Sequence, residues 1–159
     1  MFSFRRAGAL IAATTSTALV VTAVPAFAAD DEKVQISIAN FTDFHGRLEA
    51  NLSTDKETGE LTPKKGDEMG AANIAGIINY LREKNANTIV TSSGDNQGGS
   101  AFVSAISDDK YTMDFVKAVG TAGSAAGNHE FDKGYKDLID RINPGTGDIQ
   151  LGANVFKED

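Results

Sequence analysis

The sequence contains no cysteine and only two histidines, His45 and His129. Without cysteine, neither disulfides nor thiolate metal sites are available. If the protein is exported, its fold must therefore be stabilised by its hydrophobic core. Any metal ion would have to be held by oxygen and nitrogen donors. Because imidazoles are so few, the positions of these two are informative.

Positive charge is also scarce. The chain carries 15 Lys and Arg against 22 Asp and Glu, a formal net charge of −7. This balance argues against non-specific electrostatic binding to nucleic-acid backbones. An anionic substrate would need help from bound cations.

The first 28 residues differ in composition from the rest. Arg5 and Arg6 form a basic start, the following stretch is apolar or small, and Ala26-Phe27-Ala28 supplies an A-x-A cleavage pattern. This order predicts a secretory signal peptide over residues 1–28. A membrane anchor is the alternative, but several threonines dilute the apolar span. Residues 29–159 have the length of one ordinary domain.

Strand and helix patterns alternate along this domain. Alternating or β-branched residues predict strands over residues 33–40, from Ile89, over 121–126 and over 149–156, and helical spacing begins near Ile74, Phe102, Met113 and Tyr135. The run at 143–147 indicates a turn. The alternation predicts an α/β fold, a mostly parallel β-sheet with helices on both faces.

Polar side chains follow three of the predicted strands: Asp43 and His45, then Asp95, then Asn128 and His129. Asp43 and His45 are two apart, so an extended backbone would aim both the same way. The carboxyl ends of parallel strands lie side by side, so the three groups should converge. Each motif alone has a simpler explanation. Asp43 and His45 could lie in a solvated turn, Asp95 could cap the following helix, and His129 could be a loop histidine whose hydrogen bonds are satisfied locally.

The three segments are N-x-T-D-x-H-G-R from Asn40, G-D-N-x-G-x-S from Gly94 and G-N-H-E-F-D from Gly127. Together they resemble the successive motifs of the calcineurin-like metallophosphoesterases, and more narrowly the secreted 5′-nucleotidase and UDP-sugar hydrolase family. The resemblance covers residues 34–156. It implies an incomplete four-layer αββα domain, of which residues 29–159 would be the N-terminal part.

The resemblance also implies roles for individual residues. Asp43 and His45 would bind a first divalent metal, Asp95 would bridge two, and Asn128 would bind the second. His129 would stabilise the attacked phosphate, with Asp132 orienting its ring. Zn, Mn or a similar ion suits these donors, and a pair of such ions clamps a phosphate and activates water for in-line attack. Glu130 is expected to be structural, capping a helix or meeting a basic side chain.

The sequence departs from that family in having no third histidine, whereas the family completes its site with further His and a Gln from downstream segments. The family's C-terminal domain, which binds the nucleoside, has no counterpart here. We therefore expect the start of a longer enzyme or a truncated gene product, with little or no activity in the 159-residue chain itself.

The predicted function is a secreted two-metal phosphoesterase acting on nucleoside 5′-phosphates and, as a further class, nucleotide sugars. The alternatives are an extracellular nuclease or phosphodiesterase of the same superfamily, which would take nucleic acid, and a non-catalytic secreted binding domain. The location would be extracellular or at the cell wall, or periplasmic in an envelope with two membranes, without stable membrane insertion after signal cleavage. Oligomeric state is left open.

Overall fold

Four parallel strands form the centre of the protein. The computed structural model describes residues 33–62 and 64–156, so the signal peptide predicted over residues 1–28 lies outside the described residues. The strands are β1 (Ser37–Phe41), β2 (Thr88–Ser92), β3 (Thr121–Ala125) and β4 (Gln150–Leu151). They pair in the order β1-β2-β3-β4, each parallel to its neighbour. The prediction of an α/β fold with a parallel sheet is confirmed.

The last strand is shorter than the sequence suggested. A strand was expected over residues 149–156, but only Gln150 and Leu151 pair with β3. The chain turns immediately afterwards, and the Val155 N–H donates to the Gly152 carbonyl at 2.9 Å. This turn ends the pairing of β4 with β3.

The helices connect these strands in sequence. They are α1 (Gly70–Lys84), α2 (Phe102–Ala105), α3 (Lys110–Ala118), a 3-10 turn (His129–Phe131), α4 (Tyr135–Asp137), a π-helical segment (Leu138–Ile142) and α5 (Asn143–Thr146). No helix among the described residues combines the length and apolar character that a membrane crossing requires.

The turn predicted at residues 143–147 is wrong. Asn143–Thr146 is helical, with Pro144 in the first turn, and Gly147 ends the helix at φ 93°. Proline is tolerated in a first turn because the N–H there needs no helical partner. The glycine at the other end supplies the left-handed cap.

The hydrophobic core lies on one face of the sheet. It is built from Phe44, Ile78, Val90, Phe115, Val116 and Val119. The rings of Phe44 and Phe115 stack with their centroids 4.7 Å apart. Phe44 belongs to the loop after β1, so the core itself anchors the segment that carries Asp43 and His45.

The opposite face of the sheet is exposed, which corrects the expectation of helices on both faces. Ile38 and Ile89 are partners in the register of β1 and β2, and 70% and 42% of their surfaces are accessible; Leu151 on β4 is 62% accessible. Parallel crossovers are right-handed, and the strand order never reverses. All the connections in the described chain therefore fall on the same side of the sheet.

Candidate metal and phosphate site

Backbone hydrogen bonds join the loops that follow β1 and β2. The N–H groups of Asp43, His45 and Gly46 donate to the carbonyls of Gly94, Asp95 and Asn96, at 3.0, 3.1 and 3.1 Å. The pairing of the two strands thus continues past their ends in an irregular form. It brings Asp43, His45 and Asp95 to one edge of the sheet.

The backbone of these loops is left-handed where the candidate ligands lie. The φ angles of Asp43, His45 and Asp95 are 53°, 47° and 54°. Residues other than glycine seldom adopt this region, and strained positions of this kind cluster at functional sites. The extended backbone expected at Asp43 and His45 is therefore wrong. Two left-handed residues flank the buried Phe44, which lets its ring enter the core while its neighbours stay at the sheet edge.

The ring of His45 is held by a backbone carbonyl. Its Nδ1 lies 2.8 Å from the Gly98 oxygen, so Nδ1–H donates and Nε2 is the ring nitrogen left for another partner. The N–H of Gly98 in turn donates to the buried carboxylate of Asp109 at 3.3 Å. Histidines that ligate metals are commonly oriented by such a bond on their other nitrogen.

Asp95 links the loop after β2 to the turn after β3. Its Oδ1 accepts the N–H of His129 at 2.9 Å. Gly127 is so close that a Cβ there would lie 2.8 Å from the Asp95 nitrogen. Asp95 thus caps a helical turn, as one sequence interpretation proposed, but the turn is the one after β3 and not the next helix in the chain.

His129 and Asp132 form a hydrogen-bonded pair across this turn, which begins at His129 and is followed by Asp132. His129 Nδ1 lies 2.9 Å from Asp132 Oδ2. The bond to Asp132 raises the pKa of His129, and the negative charges of Asp132, Asp95 and Glu130 act in the same direction. The same bond lowers the pKa of Asp132. The geometry therefore favours a positively charged imidazole.

Three of the predicted residues converge within ligand distance of one another. One donor atom from each of His45, Asp95 and His129 lies within 4.8 Å of the other two. The rings of the two histidines meet edge to face, with centroids 4.8 Å apart. The imidazole of His45 and the carboxylate of Asp95 are donors that suit a divalent ion such as Zn or Mn, so these two residues fit the predicted metal, and His129 lies beside them.

The other two predicted ligands lie at the margin of this cluster. An oxygen of the exposed Asp43 is 4.0 Å from His45 Nε2, and its second oxygen accepts a hydrogen bond from the Thr42 hydroxyl. Asn128 is exposed and directly precedes the 3-10 turn. The metal-binding roles of Asp43, His45, Asp95 and Asn128, and the catalytic roles of His129 and Asp132, remain predictions.

Sequence reasoning missed the environment of Glu130. Its side chain is completely buried, and it accepts three backbone N–H groups, from Gly127, Asp95 and Asn96. It is structural, as expected, but the expected helix cap or basic partner is wrong. The signal available in the sequence was the spacing of Gly127 and Glu130, which lets a carboxylate fold back onto its own loop.

The fold and the site together define an α/β protein with a cluster of nitrogen and oxygen donors at its strand ends. No protein-family model matches the chain. Endonuclease YhcR of Bacillus subtilis is 30% identical over 120 residues, which cover 74% of this chain and 9% of the relative. The 5′-nucleotidase of Bos taurus is 26% identical over 121 residues, which cover 76% of this chain and 20% of the relative.

A solved structure shows the same architecture. The NAD nucleotidase (NadN) of Haemophilus influenzae superposes with a TM-score of 0.61 at 25% identity, over 75% of this chain and 20% of the nucleotidase. These similarities confirm the resemblance to the metallophosphoesterases of the 5′-nucleotidase family. The chain spans only a fifth or less of each of these three proteins.

Proposed function

We propose that residues 29–159 are the N-terminal part of the catalytic domain of a secreted phosphoesterase that uses two divalent metal ions. Its substrates would be nucleoside 5′-phosphates and, as a further class, nucleotide sugars. The observation that carries the proposal is the convergence of His45, Asp95 and His129 at the ends of three adjacent parallel strands. Ligands of α/β proteins bind at this edge of the sheet.

The metal ligands in this proposal are Asp43 and His45 for one ion, Asp95 for both, and Asn128 for the other. Bound ions of this kind neutralise phosphate charge and activate water. The bond from His45 Nδ1 to Gly98 leaves Nε2 as the donor atom. The bond from Asp95 Oδ1 to the His129 N–H leaves the second carboxylate oxygen for an ion.

His129 would meet the phosphate as a cation. Asp132 fixes the ring through Nδ1 and favours its protonated form, so Nε2–H is left to donate to a phosphate oxygen. A preorganised positive group beside developing negative charge is a large contributor to such reactions. The position of His129 next to Asp95 supports this role.

Two observations favour alternatives. The Bacillus relative is named an endonuclease, which favours an extracellular nuclease or phosphodiesterase, although the net charge of −7 opposes a grip on a polymer. The presence of only two histidines favours a secreted binding domain without turnover. The secreted location itself is proposed from the leader-like composition of residues 1–28.

The test compares this chain with the same chain extended by whatever sequence its reading frame encodes further on. Both are assayed with Mn²⁺ or Zn²⁺ on 5′-AMP, UDP-glucose and single-stranded DNA, with His129→Ala as the inactive control. We expect little or no turnover by the 159-residue chain and 5′-AMP hydrolysis by the extended one. Preferential cleavage of DNA would favour the nuclease. Metal binding without any turnover would favour the binding domain. Robust turnover by the short chain would contradict the proposed dependence on further residues.

A further inference from the structure

Glu130 is the most completely buried carboxylate near the candidate site, and its hydrogen bonds cross from one loop to another. Its accessible surface is 0%. Oε2 accepts the N–H of Gly127 at 2.7 Å and of Asp95 at 3.0 Å, while Oε1 accepts the N–H of Asn96 at 2.9 Å. A buried carboxylate needs such partners, and here they come from the backbone of two separate loops.

The contact is reciprocal. Glu130 belongs to the turn after β3 and binds the amide of Asp95, and Asp95 belongs to the loop after β2 and binds the amide of His129 at 2.9 Å through Oδ1. Each loop therefore contributes a carboxylate that satisfies a backbone N–H of the other. This arrangement, formed by Glu130 and Asp95, is called the carboxylate clasp below.

The clasp acts on a strained residue. Asp95 has a φ of 54°, a conformation that persists only where the surroundings enforce it. Glu130 binds the N–H groups of Asp95 and of the next residue, Asn96. The buried side chain of Asn96 extends the attachment to β3, because its Nδ2 donates to the Ser124 hydroxyl at 2.9 Å.

We propose that Glu130 is a positioning residue that sets the conformation of Asp95 before any ion binds, and that joins the metal-binding loop to the turn carrying His129. The part of the inference that concerns metal binding rests on the proposed function. The part that concerns the clasp rests only on the hydrogen bonds. With Oδ1 occupied by the His129 N–H, the second oxygen of Asp95 is held in a fixed place. An ion then meets a ligand that does not have to reorganise.

The substitution Glu130→Gln tests this inference with almost no change of shape. A carboxylate presents acceptors to all three N–H groups, whereas an amide must turn its NH₂ group toward at least one of them. Asp67→Asn is the matched control. Asp67 accepts the N–H groups of Ser53 and Lys64 at 2.9 and 2.8 Å in the hairpin-like loop between β1 and α1, and its hydrogen bonds involve neither the loop of Asp95 nor the turn of His129.

Two measurements are made on the purified chain. Calorimetric titration with Mn²⁺ gives the metal affinity, and hydrogen exchange followed by NMR without metal gives the protection of the Gly127, Asp95 and Asn96 amides. We expect slow exchange of these loop amides in the wild type, faster exchange in Glu130→Gln, and Mn²⁺ affinity weakened by about 10–100-fold. Asp67→Asn should leave both readouts unchanged.

Wild-type Mn²⁺ affinity in folded Glu130→Gln would overturn the inference, whether or not amide exchange changes, since Glu130 would then not position the ligand. If Glu130→Gln does not fold, the same two measurements are made on Glu130→Asp, whose shorter side chain cannot span both loops. The amide exchange of the wild type is then a second test. Fast exchange of the three amides in the wild type would overturn it outright. Failure of the wild type to bind Mn²⁺ would count against the proposed function, while the metal-free exchange would still test the clasp.

Discussion

The two histidines lie at the same edge of the sheet with ring centroids 4.8 Å apart, yet their surroundings differ. The Nδ1 of His45 donates to the Gly98 carbonyl, a neutral acceptor. The Nδ1 of His129 bonds to the Asp132 carboxylate, which favours the charged ring. In the proposed function, the hydrogen-bond partner of Nδ1 would distinguish a metal ligand, His45, from a cation that meets phosphate, His129. Two like residues can be given different tasks by one hydrogen bond each.

Removing each ring in turn tests this difference and should give the largest effect. We expect His45→Ala to weaken Mn²⁺ affinity by more than about 100-fold, because a ligand is lost, and His129→Ala to weaken it by less than about tenfold. Isothermal titration of both variants measures this. Equal losses would mean that both rings bind the ion and that the assigned division is wrong.

Gly127 tests the contact that brings the loop of Asp95 against the turn of His129. A Cβ at this position would approach the Asp95 nitrogen to 2.8 Å and its carboxylate more closely still. Gly127→Ala should therefore destabilise the protein by about 1–3 kcal/mol. Denaturant unfolding measures the change. Gly76→Ala in α1 is the control, because nothing lies within 4 Å of its added Cβ and a helical alanine is favourable.

Asp132→Asn would make the surroundings of His129 similar to those of His45. Since the bond to Asp132 is the main cause of the raised pKa of His129, the His129 imidazole should have a lower pKa in this variant. NMR titration of the His129 imidazole signals in the metal-free protein would show the change. An unchanged pKa of His129 would contradict the assigned pairing.

The smallest effect concerns stability against pH. The raised pKa of His129 contributes stability below the ordinary histidine pKa, which is lost as pH rises through the raised value. The lowered pKa of Asp132 contributes stability above the ordinary aspartate pKa, which is lost as pH falls through the lowered value. Asp132→Asn should reduce stability only between these limits, and by less than Gly127→Ala, because both side chains are partly exposed to solvent.

The sequence predicted most of the fold because periodicity is a local property. The helix through Ile74 and Leu81 was expected to end near Lys84, and α1 is Gly70–Lys84. The layer arrangement was not predictable in this way. Whether helices cover one face or two depends on strand order, and no residue pattern in the strands distinguishes the order β1-β2-β3-β4 from one that reverses.

The site was predictable in its members but not in its geometry. The alternation of strands and helices brought His45, Asp95 and His129 together as expected. It did not indicate that Asp43 and His45 would be left-handed, because that follows from the burial of Phe44 between them. The role of Glu130 was missed for a similar reason, since its backbone partners at Asp95 and Asn96 come from another loop.

We propose that the ends of β1, β2 and β3 build a metal site around His45 and Asp95. Crystals of the protein grown with Mn²⁺ and measured for anomalous scattering test it most directly. We expect an anomalous peak bonded to His45 Nε2 and to a carboxylate oxygen of Asp95. A peak located elsewhere on the protein, or no peak at saturating Mn²⁺, would contradict this proposed site.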